Sequence, residues 1–186
     1  MTPVSISTYA APRTGLKGPG AAAWLQTQGV PVPPQPNTWL PLAGGGLIGR
    51  LASSEFFIEG DAVAPVVRAL GTGEAGVYPV LRRDLGLLLA GEHAPAVLAQ
   101  TCNVHFAALA LEARPLVMTS MIGVSVLVIP QRDSPAVTYR IWCDPTFGPY
   151  LVRTLQSIVT EEGGADTRAR PPSTNESATT SSRGGP

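Results

Sequence analysis

Histidines and cysteines are the residues in this sequence whose type could support metal or nucleophilic chemistry. His93 and His105 have no Cys, Asp or Glu at the spacing of a metal site, and neither stands near a nucleophile in an elbow-like context. Both are interpreted as surface or helix-capping residues. Cys102 and Cys143 stand apart without a CxxC pattern, which favours two small buried thiols over a disulfide or a reactive thiol.

The acidic residues follow the patterns of secondary structure and not those of a catalytic pair. Glu55 and Glu59 share one face of a predicted strand, where a solvent-facing or interface charge is the simpler interpretation. Asp61 and Asp144 each precede a helical pattern and are predicted to be N-caps. The sequence therefore predicts no catalytic, cofactor-binding or metal-binding residue in this chain.

A glycine-rich stretch, GLKGPGAAAWL at residues 15–25, has the outline of a phosphate loop that enters a helix. It lacks both the Lys-Ser/Thr end of a P-loop and the GxGxxG spacing of a dinucleotide site. Residues 87–101, LLLAGEHAPAVLAQT, repeat this outline and keep only the glycine of the turn. Both stretches are interpreted as structural strand-to-helix turns.

Matches in the same order along both halves indicate that one unit occurs twice. After the paired turns, LIGRL matches MIGVS, FFIEGD matches YRIWCD, and VVRAL matches LVRTL. The sequence predicts an α+β fold of two βαββα-type repeats, residues 13–76 and 77–162, with antiparallel sheets and packed helices. Residues 47–51 and 55–59 are predicted to form one hairpin, and residues 117–129, as one strand, another with residues 137–142. Residues 77–81 and 85–89 are predicted to form a strand pair that joins the copies.

Composition limits the partners and the compartment. Lys plus Arg and Asp plus Glu total 13 each, so no net field favours nucleic acid or an anionic membrane. No apolar run of membrane-spanning length and no signal-peptide pattern occurs, so a cytoplasmic protein without membrane partners is expected. Residues 1–12 are predicted to be flexible. Residues 163–186, rich in Gly, Ser, Thr and Pro, are predicted to be disordered.

Several of these stretches resemble a known superfamily. RTGLKGPGAAAWL, PNTW and GRLASSEFFIEG resemble the folate-binding aminomethyltransferase superfamily, which includes proteins like the glycine cleavage T-protein. The second half, with LGLLLAGEHAPAVLAQTCNV, TSMIGVSVLVIP and YRIWCDPTFGPYLVRTL, resembles the gamma subunit of heterotetrameric sarcosine oxidase. The resemblance covers about residues 12–160 and implies an aminomethyltransferase-like domain.

The resemblance also implies a role. It is that of a non-catalytic, gamma-type structural subunit in a multi-subunit, folate-linked flavin amine oxidase or dehydrogenase that performs oxidative N-demethylation. No cofactor is expected in this chain, and FAD, FMN, NAD and tetrahydrofolate would belong to partner subunits. The expected partner is the large flavin- and folate-binding subunit of a hetero-oligomer.

Two other functions are compatible with the same superfamily. A stand-alone folate-binding or iron-sulfur-repair-type protein would need an acidic residue in a central cavity to hold the pterin ring, and the sequence offers no obvious candidate. An active aminomethyltransferase is disfavoured, because the resemblance implies that such enzymes have longer chains with an additional C-terminal domain, whereas the predicted fold ends near residue 160.

Partner contact is predicted at the proline-rich loop and at the start of the last helix. Pro34, Asn37 and Trp39 lie in VPVPPQPNTWLP, whose prolines lower the ordering cost of docking. Trp39 has no periodic pattern around it, so packing beneath its own loop and contact with a partner both remain open. Phe147 and Tyr150 are further candidate interface residues, although a core position is favoured for Phe147.

Overall fold

The structure is a computed structural model that describes residues 3–71, 73–133 and 136–164, of which residues 133 and 136 are described by their backbone only. These residues form ten strands and four α-helices. In chain order they are β1 (Ser5–Tyr9), β2 (Arg13–Lys17), α1 (Ala21–Thr27), β3 (Thr38–Pro41), β4 (Leu47–Ala52), β5 (Glu55–Glu59), α2 (Val63–Leu70), β6 (Tyr78–Val80), β7 (Leu85–Ala90), α3 (Ala94–Thr101), β8 (Val117–Met121), β9 (Val124–Asp133), β10 (Ala136–Cys143) and α4 (Gly148–Glu161).

The strands form two antiparallel five-stranded sheets, which makes the fold mixed α+β, as the sequence predicts. Sheet 1 has the order β3-β4-β5-β2-β6, and sheet 2 has the order β8-β9-β10-β7-β1. Four strands of each sheet therefore correspond in order. The fifth strands are exchanged, because β1 precedes the first unit but pairs with β7, and β6 precedes the second unit but pairs with β2.

A glycine ends the strand before each of the corresponding helices α1 and α3. Gly18 has a φ of +124° and Gly91 a φ of +113°, a region that side chains rarely adopt. A Cβ on Gly91 would lie 2.6 Å from the carbonyl oxygen of Pro3, so the turn also needs a residue without a side chain. The glycine-rich stretch is thus a structural strand-to-helix turn in both halves, as predicted.

Apolar side chains form three clusters in a helix–sheet–sheet–helix arrangement. The first cluster packs α1 and α2 on sheet 1, and the second packs α3 and α4 on sheet 2. The third fills the space between the sheets. Strict alternation along β5 sends Phe56 and Ile58 towards the helices and Phe57 towards sheet 2. The space between the two sheets is therefore one of three buried layers in the described residues.

The N-terminal segment and the central strands differ from the sequence prediction. Residues 1–12 are not uniformly flexible, because Ser5–Tyr9 form β1, and Val4 and Ile6 are buried beneath α4 in the second cluster. Residues 117–129 are not one strand but β8 and β9. They turn at Ile122 and Gly123, whose φ values of +49° and +80° suit a tight two-residue hairpin.

The predicted strand pair at residues 77–89 does not form. β6 pairs with β2, and β7 is flanked by β1 and β10, so both edges of β7 are occupied. The chain crosses from one sheet to the other between them. The predicted βαββα unit has two strands after its first helix, whereas each repeat has three. The additional strands are β3, which pairs with β4, and β8, which pairs with β9.

The two predicted N-caps have different outcomes. Asp144 accepts a hydrogen bond of 2.8 Å from the backbone N–H of Thr146 and caps the short 3-10 turn that leads into α4. Asp61 does not cap α2, because that helix begins after Ala62 and has no side-chain cap. At the end of α4, the N–H of Gly164 donates to the carbonyl of Val159. Of the segment predicted to be disordered, residues 165–186 lie outside the described residues.

No helix within the described ranges combines the length and the apolar character that a membrane span requires.

Candidate functional site: a buried carboxylate between the sheets

Glu59 is the centre of the polar contacts between the two sheets. Its side chain is almost fully buried, and the residue is 1% exposed. Arg13 donates from Nε to Glu59 Oε2 at 2.6 Å, and the indole Nε1 of Trp142 donates to the same oxygen at 2.7 Å. The hydroxyl of Tyr9 lies 3.1 and 3.2 Å from the two oxygens, and Arg140 donates from Nη1 to Oε1 at 3.2 Å.

The register of the two sheets places these side chains together. In sheet 1, Arg13 and Glu59 are direct cross-strand partners. In sheet 2, Gly86 lies between Tyr9 on one side and Trp142 on the other. The pair Arg13 and Glu59 of sheet 1 faces the row Tyr9, Gly86 and Trp142 of sheet 2. The missing side chain of Gly86 leaves the space that the Arg13 guanidinium occupies, since a Cβ there would overlap Nη2 of Arg13.

The electrostatic surroundings keep the carboxylate paired. Two guanidinium groups lie against one carboxylate, and Arg13 also donates from Nη1 to the backbone carbonyl of Asp84 at 2.8 Å. Burial raises the pKa of the Tyr9 hydroxyl above its ordinary value, and the negative charge of Glu59 raises that pKa further. Tyr9 therefore stays protonated and donates to Glu59.

This arrangement suits a structural contact better than a reaction. Both oxygens of Glu59 already accept hydrogen bonds, so a ligand or a reacting proton would have to displace an existing donor. Breaking a buried charge pair is costly, because the charge left behind is shielded from water. The Glu59 contacts hold β5 of sheet 1 against β10 of sheet 2.

Two clefts flank the buried carboxylate. One, of about 360 Å³, is bordered by Glu59, Arg140 and the glycine loop at residues 44–46. The other, of about 530 Å³, is bordered by Trp142, Arg82 and Asp84. Neither holds a cluster that suits a metal, since no group of three His, Cys, Asp or Glu side chains converges within the described residues.

Ionisable groups near the larger cleft are shifted by their surroundings. Burial raises the pKa of the Cys143 thiol, and the charges of Asp144 and Asp84 add to that shift. Hydrogen bonds from Thr146 lower the pKa of the Asp144 carboxyl. The Cys143 thiol is thus held in its protonated form, which does not favour nucleophilic chemistry. Both cysteines are free thiols, Cys143 buried and Cys102 half-buried.

The structure corrects two interpretations of single residues. Trp39 is 9% exposed and packs between the sheets with Leu47 and Leu116, so it belongs to the core of this chain and is not an exposed anchor for a partner. Glu59 is not a solvent-facing charge, because its face of β5 looks towards sheet 2. Glu55 on the same face lies at the margin, where Arg82 donates to it at 3.0 Å.

The other predicted interface residues lie on two separate surfaces. Pro34 and Asn37 are exposed in the proline-rich loop, and Arg50 anchors that loop by donating to the carbonyls of Pro33 and Pro34. Phe147 and Tyr150 are 52% and 46% exposed at the start of α4, so the core position favoured for Phe147 is wrong.

Sequence reasoning did not find Tyr9, Arg13 or Arg140 as members of the Glu59 cluster. Their partner lies 46 to 81 residues away along the chain, and a strand pattern alone does not show that their side chains face a second sheet. The two histidines are exposed, and His93 lies 3.8 Å from Glu162. This agrees with their interpretation as surface residues.

Comparison with known proteins identifies a solved structure with a similar fold. No family model and no curated protein matches this chain. Among solved structures, it is similar to a chain in the heterotetrameric sarcosine oxidase from Corynebacterium sp. U-96 in complex with pyrrole 2-carboxylate. The identity is 23% and the TM-score 0.69, and the match covers 87% of this chain and 86% of the other. The chain thus has the fold of a sarcosine oxidase subunit over nearly its whole length.

Proposed function

We propose that this chain is a non-catalytic, gamma-type structural subunit of a multi-subunit, folate-linked flavin amine oxidase that resembles sarcosine oxidase. The observation that carries the proposal is the match with one chain of a heterotetramer, which covers 87% of this chain and 86% of the other. Because the match covers similar shares of both chains, the two chains are of similar length. The similarity therefore extends over most of that chain and is not confined to one part of it.

The Glu59 cluster supports a structural role within that assembly. Its carboxylate is buried and accepts hydrogen bonds from four side chains, so its contribution is to fix the two sheets relative to each other. In this proposal FAD, FMN, NAD and tetrahydrofolate are bound by partner subunits in the cytoplasm. The large flavin-containing subunit is the direct partner.

One observation favours the alternative of a stand-alone folate-binding or repair-type protein. The larger cleft carries Asp84, an acidic side chain of the kind that could hold a pterin ring, beside the apolar side chains of Met118 and Leu127. In contrast, Glu59 itself is fully engaged. Titration of the isolated chain with tetrahydrofolate, followed by quenching of tryptophan fluorescence, tests this alternative, and Asp84→Asn should abolish any saturable quenching.

The main proposal is tested by native purification of the tagged chain from its own organism. We expect a large chain in fixed stoichiometry, a flavin absorption spectrum in the complex, and bleaching of that spectrum on addition of an N-methyl amine such as sarcosine. The isolated chain should show no flavin spectrum. A chain that purifies alone, or with partners that contain no flavin, would contradict the proposal.

A further inference from the structure

Each five-stranded sheet is completed by a strand from the other half of the chain. The N-terminal half runs from β1 to α2, and the C-terminal half runs from β6 to α4. β1 pairs with β7 of sheet 2 over residues 5–9, and β6 pairs with β2 of sheet 1 over residues 78–80. Each half thus supplies four strands of one sheet and an edge strand of the other.

The exchanged segments also carry core side chains into the other half. Val4 and Ile6, from the N-terminal half, are buried in the cluster beneath α3 and α4. Val77, which comes directly before β6 in the C-terminal half, is buried in the cluster beneath α1 and α2. If either half unfolded, the cluster of the other half would therefore lose part of its buried apolar surface.

Contacts between the sheets join the two halves a second time. The Glu59 contacts connect β5 of the N-terminal half with β10 of the C-terminal half. Beside β3, the N–H of Trp39 donates to the carbonyl of Arg114 at 3.1 Å, and the N–H of Leu116 donates to the carbonyl of Asn37 at 2.8 Å. All of these hydrogen bonds cross from one half to the other, so they are lost when either half opens.

Independent opening of the halves is the competing possibility. Each half has its own cluster between helices and sheet, and such a unit can persist in some proteins while its neighbour unfolds. Here, however, a half left alone would expose the inner face of its sheet. Phe57 on β5 and Trp142 on β10 are 0% and 1% exposed, and their rings pack edge to face with centroids 5.1 Å apart. These aromatic side chains stay buried only while both sheets are folded.

We propose that the strand exchange makes the two halves one cooperative unit, in which the opening of either sheet opens the other. The fold then transmits stability between its two helical faces. A chain or ligand that binds only over α1 and α2 protects sheet 2 as well as sheet 1, and one that binds only over α3 and α4 protects sheet 1 as well. This coupling is a property of the chain itself and holds whichever partner it has.

Two equivalent isoleucines provide the test. Ile58 on β5 and Ile141 on β10 occupy matching places in the stretches FFIEGD and YRIWCD, and both are fully buried against the helices of their own sheet. Ile58→Val and Ile141→Val each remove one carbon atom, a change small enough to keep the chain folded. Hydrogen exchange of the native full chain is then followed at the slowest amides of β5 and β10. Each variant should speed exchange about three- to tenfold, by the same factor in both strands.

Val67→Ala is the control, because Val67 is 49% exposed on α2, and it should change exchange in both strands by less than about twofold. The double variant Ile58→Val with Ile141→Val should multiply the two single factors in both strands. Faster exchange in β5 alone for Ile58→Val, or in β10 alone for Ile141→Val, would overturn the proposal. Slowest amides of β5 and β10 whose protection differs by more than about tenfold in the unmodified chain would overturn it as well, because the two sheets would then open separately.

Discussion

Replacing Glu59 by glutamine tests whether the buried carboxylate holds the two sheets together. The substitution keeps the shape of the side chain and removes its charge. It leaves Arg13, whose side chain is 8% exposed, without a charged partner, and it turns one acceptor oxygen towards donors as an NH2 group. The indole N–H of Trp142 loses an acceptor in the same step, if the amide group faces it.

The expected cost follows from the burial of the groups left behind. Removing one member of a buried charge pair costs about 3–5 kcal/mol. For a chain of this size, that corresponds to a fall in Tm of roughly 10 °C. Glu55→Gln is the matched control on the same face of β5. Its partner Arg82 lies at 3.0 Å, but the two side chains are 21% and 36% exposed. An exposed pair contributes about 0–1 kcal/mol, so Glu55→Gln should leave stability nearly unchanged.

The assay is denaturant unfolding of the free chain, followed by tryptophan fluorescence and by circular dichroism. The free energy of unfolding should fall in Glu59→Gln without a change of the native secondary structure, and adding Arg13→Gln should recover part of the loss, because the unpaired charge is then removed. Equal free energies of unfolding for Glu59→Gln and Glu55→Gln would refute the reasoning. So would a strictly additive double variant, since residues in direct contact should couple.

Three further outcomes are expected for the free chain. Trp39→Ala should lower the free energy of unfolding by about 3–5 kcal/mol, because the indole fills the space between the sheets. An unchanged denaturation midpoint would contradict the core position and favour contact of Trp39 with a partner. Gly86→Ala should cost about 1–3 kcal/mol by overpacking, since its Cβ would lie 2.9 Å from the Tyr9 ring and overlap Arg13. An unchanged Tm would contradict this and show that the facing residues of the two sheets move apart at little cost. Burial raises the pKa of Tyr9 in the folded state. The contribution of the Tyr9 hydroxyl to folding stability is therefore complete below the ordinary tyrosine pKa of about 10 and is lost as the pH rises above that value. Tyr9→Phe should reduce the alkaline loss of stability between about pH 9 and 11. Burial raises the pKa of Tyr139 as well, so part of the alkaline loss should remain, and identical pH profiles for Tyr9→Phe and the unmodified chain would contradict the assignment.

The local elements could be predicted from the sequence because their signals are local. A glycine followed by an apolar helical pattern identified both strand-to-helix turns, and α1 and α3 lie where that pattern places them. Alternation and turn residues identified the hairpin of β4 and β5. The turn between β8 and β9 carried a weaker signal. Ile122 has a positive φ there, and a β-branched residue gives no indication of such a conformation.

The exchange of β1 and β6 between the sheets was decided by tertiary structure alone. A strand pattern shows that a segment is extended but not which strand it pairs with. Residues 78–80 could in principle pair with the next strand along the chain, and they pair with β2 because both edges of β7 are already taken. Pairing partners depend on the contacts of the whole fold, which no short window of sequence contains.

The same division applies to single residues. Sequence determined that Glu55 and Glu59 share one face of a strand, which the structure confirms. It could not determine that this face looks towards a second sheet, nor that Arg13 and Trp142 meet Glu59 from 46 and 83 residues away. A carboxylate at the surface and a carboxylate buried between sheets have the same local pattern, because burial is set by what packs against the face and not by the strand that carries it.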